Sequence, residues 1–217
     1  MRVRNNNNNS NNNGTNVKVH NIVILDGSGS MSGTKYTNAK KGVWKEIDLC
    51  KDLNYSFTLI EFVRAGKIIE HFYKVSPNTI KNIDFGGANG SDTPLYQTIV
   101  ETIDKLLKSA STSDRFLIKI ITDGQNNVGT KSEIHALESI KKAEKNGCTV
   151  TFTCVEYDKK YILEIGVDES NIITYDNTGK DLERTMNETR SATILYSKNL
   201  SEGKDVTLGF YSKTVTN

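Results

Sequence analysis

The sequence predicts an α/β protein: a three-layer αβα sandwich around a doubly wound, mostly parallel six-stranded sheet with one antiparallel edge strand. Three observations predict it. Short apolar runs alternate with segments of helical period along most of the chain. The apolar runs are nearly continuous, as in Ile22-Val23-Ile24-Leu25 and Arg115–Thr122 (RFLIKIIT), which is how strands covered on both faces read. At one place the alternation fails. Ser56–Val63 and Lys67–Val75 are separated only by Arg64-Ala65-Gly66, so they are expected to pair as an antiparallel hairpin.

The elements follow in order. Residues 5–16 (NNNNNSNNNGTN) bury nothing apolar, and residues 1–16 are expected to be a disordered tail. Val17–Leu25 is a strand that stops at Asp26-Gly27-Ser28-Gly29-Ser30. Residues 34–51 place Tyr36, Ala39, Val43, Ile47 and Cys50 at helical spacing. The hairpin comes next, then a glycine-rich loop, Phe85–Thr93, leading into Pro94, a good first helical residue. Leu95, Ile99, Ile103, Leu106 and Leu107 mark one face of the helix that follows, with Thr93 as its N-cap candidate. The strand at 115–122 ends at Asp123-Gly124. A helix over 131–146 shows Ile134, Leu137, Ile140 and Ala143, and Gly147 closes it. Thr149–Val155 is a strand, 158–165 a short helix, and Asn171–Tyr175 the last strand. Residues 180–197 form a helix with Leu182, Met186, Thr189 and Tyr196 on one side. This places one domain at 17–198 and a C-terminal tail at 199–217, whose Val206–Tyr211 run reads as an added edge strand.

Composition narrows the functional classes. The 217 residues suffice for one domain with a continuous core. With 28 Lys and Arg against 26 Asp and Glu, the net charge of +2 gives no electrostatic case for a nucleic-acid binder. No run approaches the ~18–20 apolar residues that span a bilayer. The opening Met1-Arg2-Val3-Arg4 lacks an apolar core, so no secretory leader is expected. Cys50, Cys148 and Cys154 form no CxxC and read as buried free thiols, which argues for a reducing, cytoplasmic setting. The Asn-, Lys- and Ile-heavy style would be at home in a bacterium, a phage or another large DNA virus.

Chemistry gathers in three loop segments: Asp26-Gly27-Ser28-Gly29-Ser30, Ser91-Asp92-Thr93 and Asp123-Gly124. Asp26 and Asp123 each end an apolar strand. In an open parallel sheet, ligands bind beyond those strand ends, where the strand order reverses. Ser28 and Ser30 sit at alternate positions of a glycine-interrupted loop, free to turn both hydroxyls to one point. Two carboxylates and three hydroxyls are all hard oxygen donors, a set that suits Mg²⁺, with Mn²⁺ or Ca²⁺ as alternatives, and does not suit zinc. Two carboxylates only just neutralise a dication, so the ion stays electrophilic toward one further anion. Asp92 reads as a solvated loop charge and Trp44 as packing.

These residues resemble the von Willebrand factor A domain with its metal-ion-dependent adhesion site (MIDAS). Asp26-Gly27-Ser28-Gly29-Ser30 matches DxSxS, Thr93 in Gly90–Leu95 matches the distal threonine, and Ile121-Thr122-Asp123-Gly124 matches the distal aspartate. The resemblance covers about residues 17–198. It implies that Ser28 and Ser30 bind the metal directly, Thr93 directly or through water, and Asp26 and Asp123 mainly through water and hydrogen bonds. It also implies the sheet order 3-2-1-4-5-6 with strand 3 antiparallel. Asp92, beside the threonine, departs from the pattern, as do both tails.

Competing motifs fail on detail. Thr34 separates Gly33 from Lys35, so GxxxxGK[ST] is absent, and Ser32 breaks GxGxxG. Met31 replaces the last glycine of GxSxG. His20, His71 and His135 are scattered. The expected function is therefore a non-enzymatic, metal-dependent binding module in which bound Mg²⁺ captures an Asp or Glu side chain of a partner protein, with neither nucleic acid nor membrane as partner. The alternative is an assembly component, for example of a phage or viral particle, in which the metal only stiffens the loops.

Overall fold

The computed structural model describes residues 17–63 and 66–212. The Asn-rich segment 1–16 and the turn residues 64–65 lie outside the described residues. Six strands form one sheet: β1 (Lys18–Asp26), β2 (Ser56–Val63), β3 (Lys67–Val75), β4 (Asp114–Ile121), β5 (Thr149–Val155) and β6 (Ile172–Tyr175). Their order is β3-β2-β1-β4-β5-β6, with only the β2–β3 pair antiparallel. The α/β sandwich, the edge hairpin and the strand order are as the sequence and the resemblance implied.

Alternation along each buried strand builds two cores. Val19, Val23 and Leu25 of β1 face one side, packed with α1 (Thr34–Leu53) and α5 (Gly179–Ser201). Ile22 and Ile24 face the other, packed with α2 (Leu95–Lys108), α3 (Glu133–Lys145) and Ile162 of α4 (Lys159–Glu164). All three cysteines are buried and free. Trp44 is partly buried against the first core. Among the described residues, no helix is long and apolar enough to cross a membrane.

The topology places the site. From β1 the chain crosses through α1 to β2 on one side. From β3 it returns through α2 to β4 on the other side of β1. The strand order thus reverses between β1 and β4, which run parallel with Leu25 opposite Ile121. Their C-terminal ends open a cleft at that reversal.

Two expectations need correction. Ile134 is exposed, and α3 buries Ala136, Ser139, Ile140 and Ala143 instead. Ser132 caps the helix, and Ile134 lies in its first turn, on the face away from Ala136, Ile140 and Ala143. The run 206–211 is not a strand. Val206, Phe210 and Tyr211 are buried against the α5 side of the core. Its backbone bonds go singly to unrelated groups: the Val206 carbonyl accepts from Thr149 Oγ1 at 2.9 Å, Phe210 N–H donates to Asn171 Oδ1 at 3.0 Å, and Tyr211 N–H donates to the Ser170 carbonyl at 2.9 Å. Side-chain burial, not a ladder, holds the segment.

Candidate metal centre

Asp26 is the last residue of β1 and is fully buried. One oxygen, Oδ1, accepts from the Ser28 N–H at 2.7 Å, and the other, Oδ2, accepts from Thr122 Oγ1 at 2.6 Å. Thr122 follows β4 directly, so parallel register brings the two together. Burial pushes the Asp26 carboxyl up to about 6, with the like charge of Asp123 adding to it, against the hydrogen bonds from Ser28 and Thr122. Among the described residues its partners are hydrogen-bond donors, with no ion pair.

The loop after Asp26 is fixed by a backbone contact. Ser28 makes an isolated parallel bridge with Gly90, and Gly29 N–H donates to the Gly90 carbonyl. A Cβ on Gly29 would lie 2.7 Å from that carbonyl oxygen, so only glycine allows the approach. Ser28 Oγ then lies 2.9 Å from Ser30 Oγ, and Ser30 Oγ donates to Asp123 Oδ1 at 2.7 Å.

Thr93 arrives by a different route. It is not a helix cap: Pro94 is the N-cap of α2, with no side-chain cap bond of its own. The β4–α3 loop supplies what is missing. Asn126 Oδ1 accepts from the N–H of Tyr96, in the first turn, at 3.0 Å. Asn127 Oδ1 accepts from Thr93 N–H at 2.6 Å, and Asn127 N–H donates to the Thr93 carbonyl at 3.1 Å. With its backbone held there, Thr93 turns its hydroxyl inward.

Gly124 marks the point where the segments meet. A Cβ built on it would lie 3.7 Å from Ser30 Oγ, 3.7 Å from Thr93 Oγ1 and 3.8 Å from Asp26 Oδ2. Ser28, Ser30, Thr93 and Asp123 line one open cleft of about 410 Å³, with Tyr157 and Asp158 on its wall. All five sequence-expected residues therefore come together: four through hydrogen bonds, and Thr93 through shared proximity to Gly124. Asp92 is half-buried, accepts from Ser91 Oγ at 3.4 Å and does not line the cleft. A larger cleft of about 780 Å³ opens at the opposite end of the strands, beside Tyr55, Arg115 and Val206, away from this cluster.

Sequence reasoning missed five contributors. Thr122 locks Asp26, and Asn126 and Asn127 lock the Thr93 loop. Lys35, in the first turn of α1, donates from Nζ to Asp123 Oδ2 and, at 2.7 Å, to Asn177 Oδ1. Asp158 is buried, with Oδ1 accepting from Gln125 Nε2 at 2.8 Å and Oδ2 without a hydrogen-bond partner. Burial raises its carboxyl, and the negative charge of Asp123 adds to the shift. Lys35 alone carried a readable signal, since a cation in the first turn of a helix opposes the macrodipole.

None of the histidines lines the cleft. His20 pairs with Ser56 and Asp114 at the far strand ends, His71 with buried Glu61, and His135 with Ser132 at the start of α3. Among the described residues, no group of three or more His, Cys, Asp or Glu is placed to hold a metal ion. The cluster is instead two carboxylates and three hydroxyls, all hard oxygen, a donor set that fits a small divalent cation.

Solved structures share this architecture. Proximal thread matrix protein 1 (PTMP1) from the mussel byssus, crystal form 2, aligns with TM-score 0.58 at 19% identity, over 79% of this chain and 47% of that one. A structure of the same protein with a zinc-occupied MIDAS motif aligns with TM-score 0.50 at 16% identity, again over 79% and 47%. The pilus adhesin SpaC from Lactobacillus rhamnosus GG, in its open conformation, aligns with TM-score 0.60 at 15% identity, over 82% of this chain and 30% of that one. No protein-family model and no curated protein matches the chain. At these identities the likeness is one of fold: the chain has a von Willebrand factor A-like α/β sandwich, and it spans less than half the length of each of these neighbours.

Proposed function

We propose that the protein is a non-enzymatic binding module whose strand-end cluster holds one divalent cation, Mg²⁺ by donor chemistry, and uses it to capture an acidic side chain of a partner protein. The observation that carries this reading is the convergence of Asp26, Ser28, Ser30, Thr93 and Asp123, from three separate loops, at the C-terminal ends of β1 and β4. Ser28, Ser30 and Thr93 would supply hydroxyl ligands, while Asp26 and Asp123 would hold the hydroxyls and metal-bound waters in place. When bound there, the ion would supply Lewis acidity toward a carboxylate from outside. The zinc-occupied MIDAS motif of one fold neighbour and the adhesin and matrix roles in the neighbours' names support a divalent site and a binding role.

Two expectations are testable together. Mg²⁺ at about a hundred times its dissociation constant adds about 2.7 kcal/mol to stability. For a chain of this size, that raises the melting temperature by about 5–10 °C. Asp26→Ala and Ser28→Ala should abolish that rise, and EDTA should reverse it in the native protein. The same variants, and EDTA, should abolish capture of a partner or model peptide bearing Glu or Asp. Capture that survives both would refute the metal-bridge mechanism.

An assembly component could engage its neighbours through free terminal arms. For the C-terminal arm up to Ser212 that premise weakens, because Val206, Phe210 and Tyr211 are buried in the domain's own core.

A further inference from the structure

Among the described residues, Lys35 is the one cation paired with the cluster, and its placement is costly by ordinary rules. It is the second residue of α1, whose first turn holds no acidic residue, so it sits at the positive end of the helix. Its side chain is only 15% exposed and that of Asp123 1%. Ser30 occupies Asp123 Oδ1, and Lys35 occupies Oδ2, so both oxygens of the distal carboxylate are engaged. Asn177 Oδ1, from the loop after β6, accepts a second bond from the ammonium and holds it in place. Among the described residues, Asp26 has no such partner.

From this geometry we propose that Lys35 is a tethered competitor for the cation. The inference rests on the reading of the cluster as a divalent-metal site. Without metal, the ammonium neutralises Asp123 and stabilises the loop. A dication entering the cluster would meet a fixed positive charge and compete with it for the negative charge of Asp123. A monovalent cation gains nothing by that exchange, whereas a dication gains a net charge. Lys35 therefore lowers the affinity of the site and makes its occupancy follow the divalent concentration rather than remain permanent.

The test is calorimetric titration of Mg²⁺ and Mn²⁺ into the wild type, Lys35→Gln, Lys35→Met and Lys35→Arg, with melting temperatures of the metal-free forms. A fixed charge at this range shifts an ionic equilibrium by at least about ten-fold. Both neutral variants should bind Mg²⁺ at least about ten-fold tighter than the wild type. They should also melt lower without metal and regain the difference when Mg²⁺ is added, while Lys35→Arg stays near the wild type. Wild-type binding with unchanged or weaker affinity in folded Lys35→Gln and Lys35→Met would overturn the role of Lys35 and leave the metal site standing. No binding by any of the four proteins would overturn the metal site itself, and the Lys35 role with it.

Discussion

A carboxylate as deeply buried as Asp26 is tolerated only if its charge is answered. Here Ser28 N–H and Thr122 Oγ1 each donate to one carboxylate oxygen, and in the proposed metal reading a cation joins these partners. Gly124 tests that reading at the scale of one residue. Its absent Cβ leaves the space among Ser30, Thr93 and Asp26 open, and the distances of 3.7–3.8 Å are ordinary contacts, so a methyl group fits without strain. Gly124→Ala should therefore fold normally by circular dichroism. Gly124→Val, filling the space, should lose the Mg²⁺-dependent rise in melting temperature. The five ligand candidates were legible in the sequence because each stands just after an apolar run or, for Thr93, just before the Pro94 cap of a helix, where a parallel sheet collects functional groups. Thr122, Asn126, Asn127 and Asp158 were not, because their roles depend on partners far along the chain: Thr122 acts on Asp26, and Asn126 on Tyr96.

At the scale of elements, helices and strands were read from their buried periodicity, and the misreadings have physical causes. The apolar spacing 134–137–140 of α3 is as regular as the buried one, but the small residues Ala136, Ser139 and Ala143 pack inward with Ile140, and Ile134 stays outside. The alternation Val206-Leu208-Phe210 looks like a strand, yet its carbonyls and N–H groups are met by side chains of Thr149 and Asn171. The α2 cap supplied by Asn126 should be worth about 1 kcal/mol, so Asn126→Ala should lower stability by that amount in urea denaturation. A larger effect ties β4 to the helices on one face. Lys119 donates to Glu46 Oε2 of α1 at 2.5 Å and to Thr193 Oγ1 of α5 at 2.6 Å, all buried. Lys119→Met alone leaves the Glu46 charge buried without a cation, with the Asn21 amide still donating to it at 3.0 Å, and should cost about 3–5 kcal/mol. The double variant Lys119→Met/Glu46→Leu should recover most of that loss, which a double-mutant cycle would measure.

For the whole molecule, the sheet separates two kinds of work. The N-terminal strand ends and the C-terminal segment close the base of the domain, where Phe210 and Tyr211 pack beside Tyr196. Phe210→Ala should cost about 3 kcal/mol in global stability while leaving metal affinity in the folded protein unchanged, because the cluster lies at the other end. The opposite rim gathers the oxygen donors of three loops, each placed by a different crossover, and that gathering is the central claim. Its most direct measurement is the Mn²⁺ anomalous difference map from crystals grown with the metal. The account predicts a single strong peak at about 2.0–2.2 Å from the Ser28 and Ser30 hydroxyl oxygens. A map with no peak at the cluster, or with its only peak elsewhere on the molecule, would contradict it.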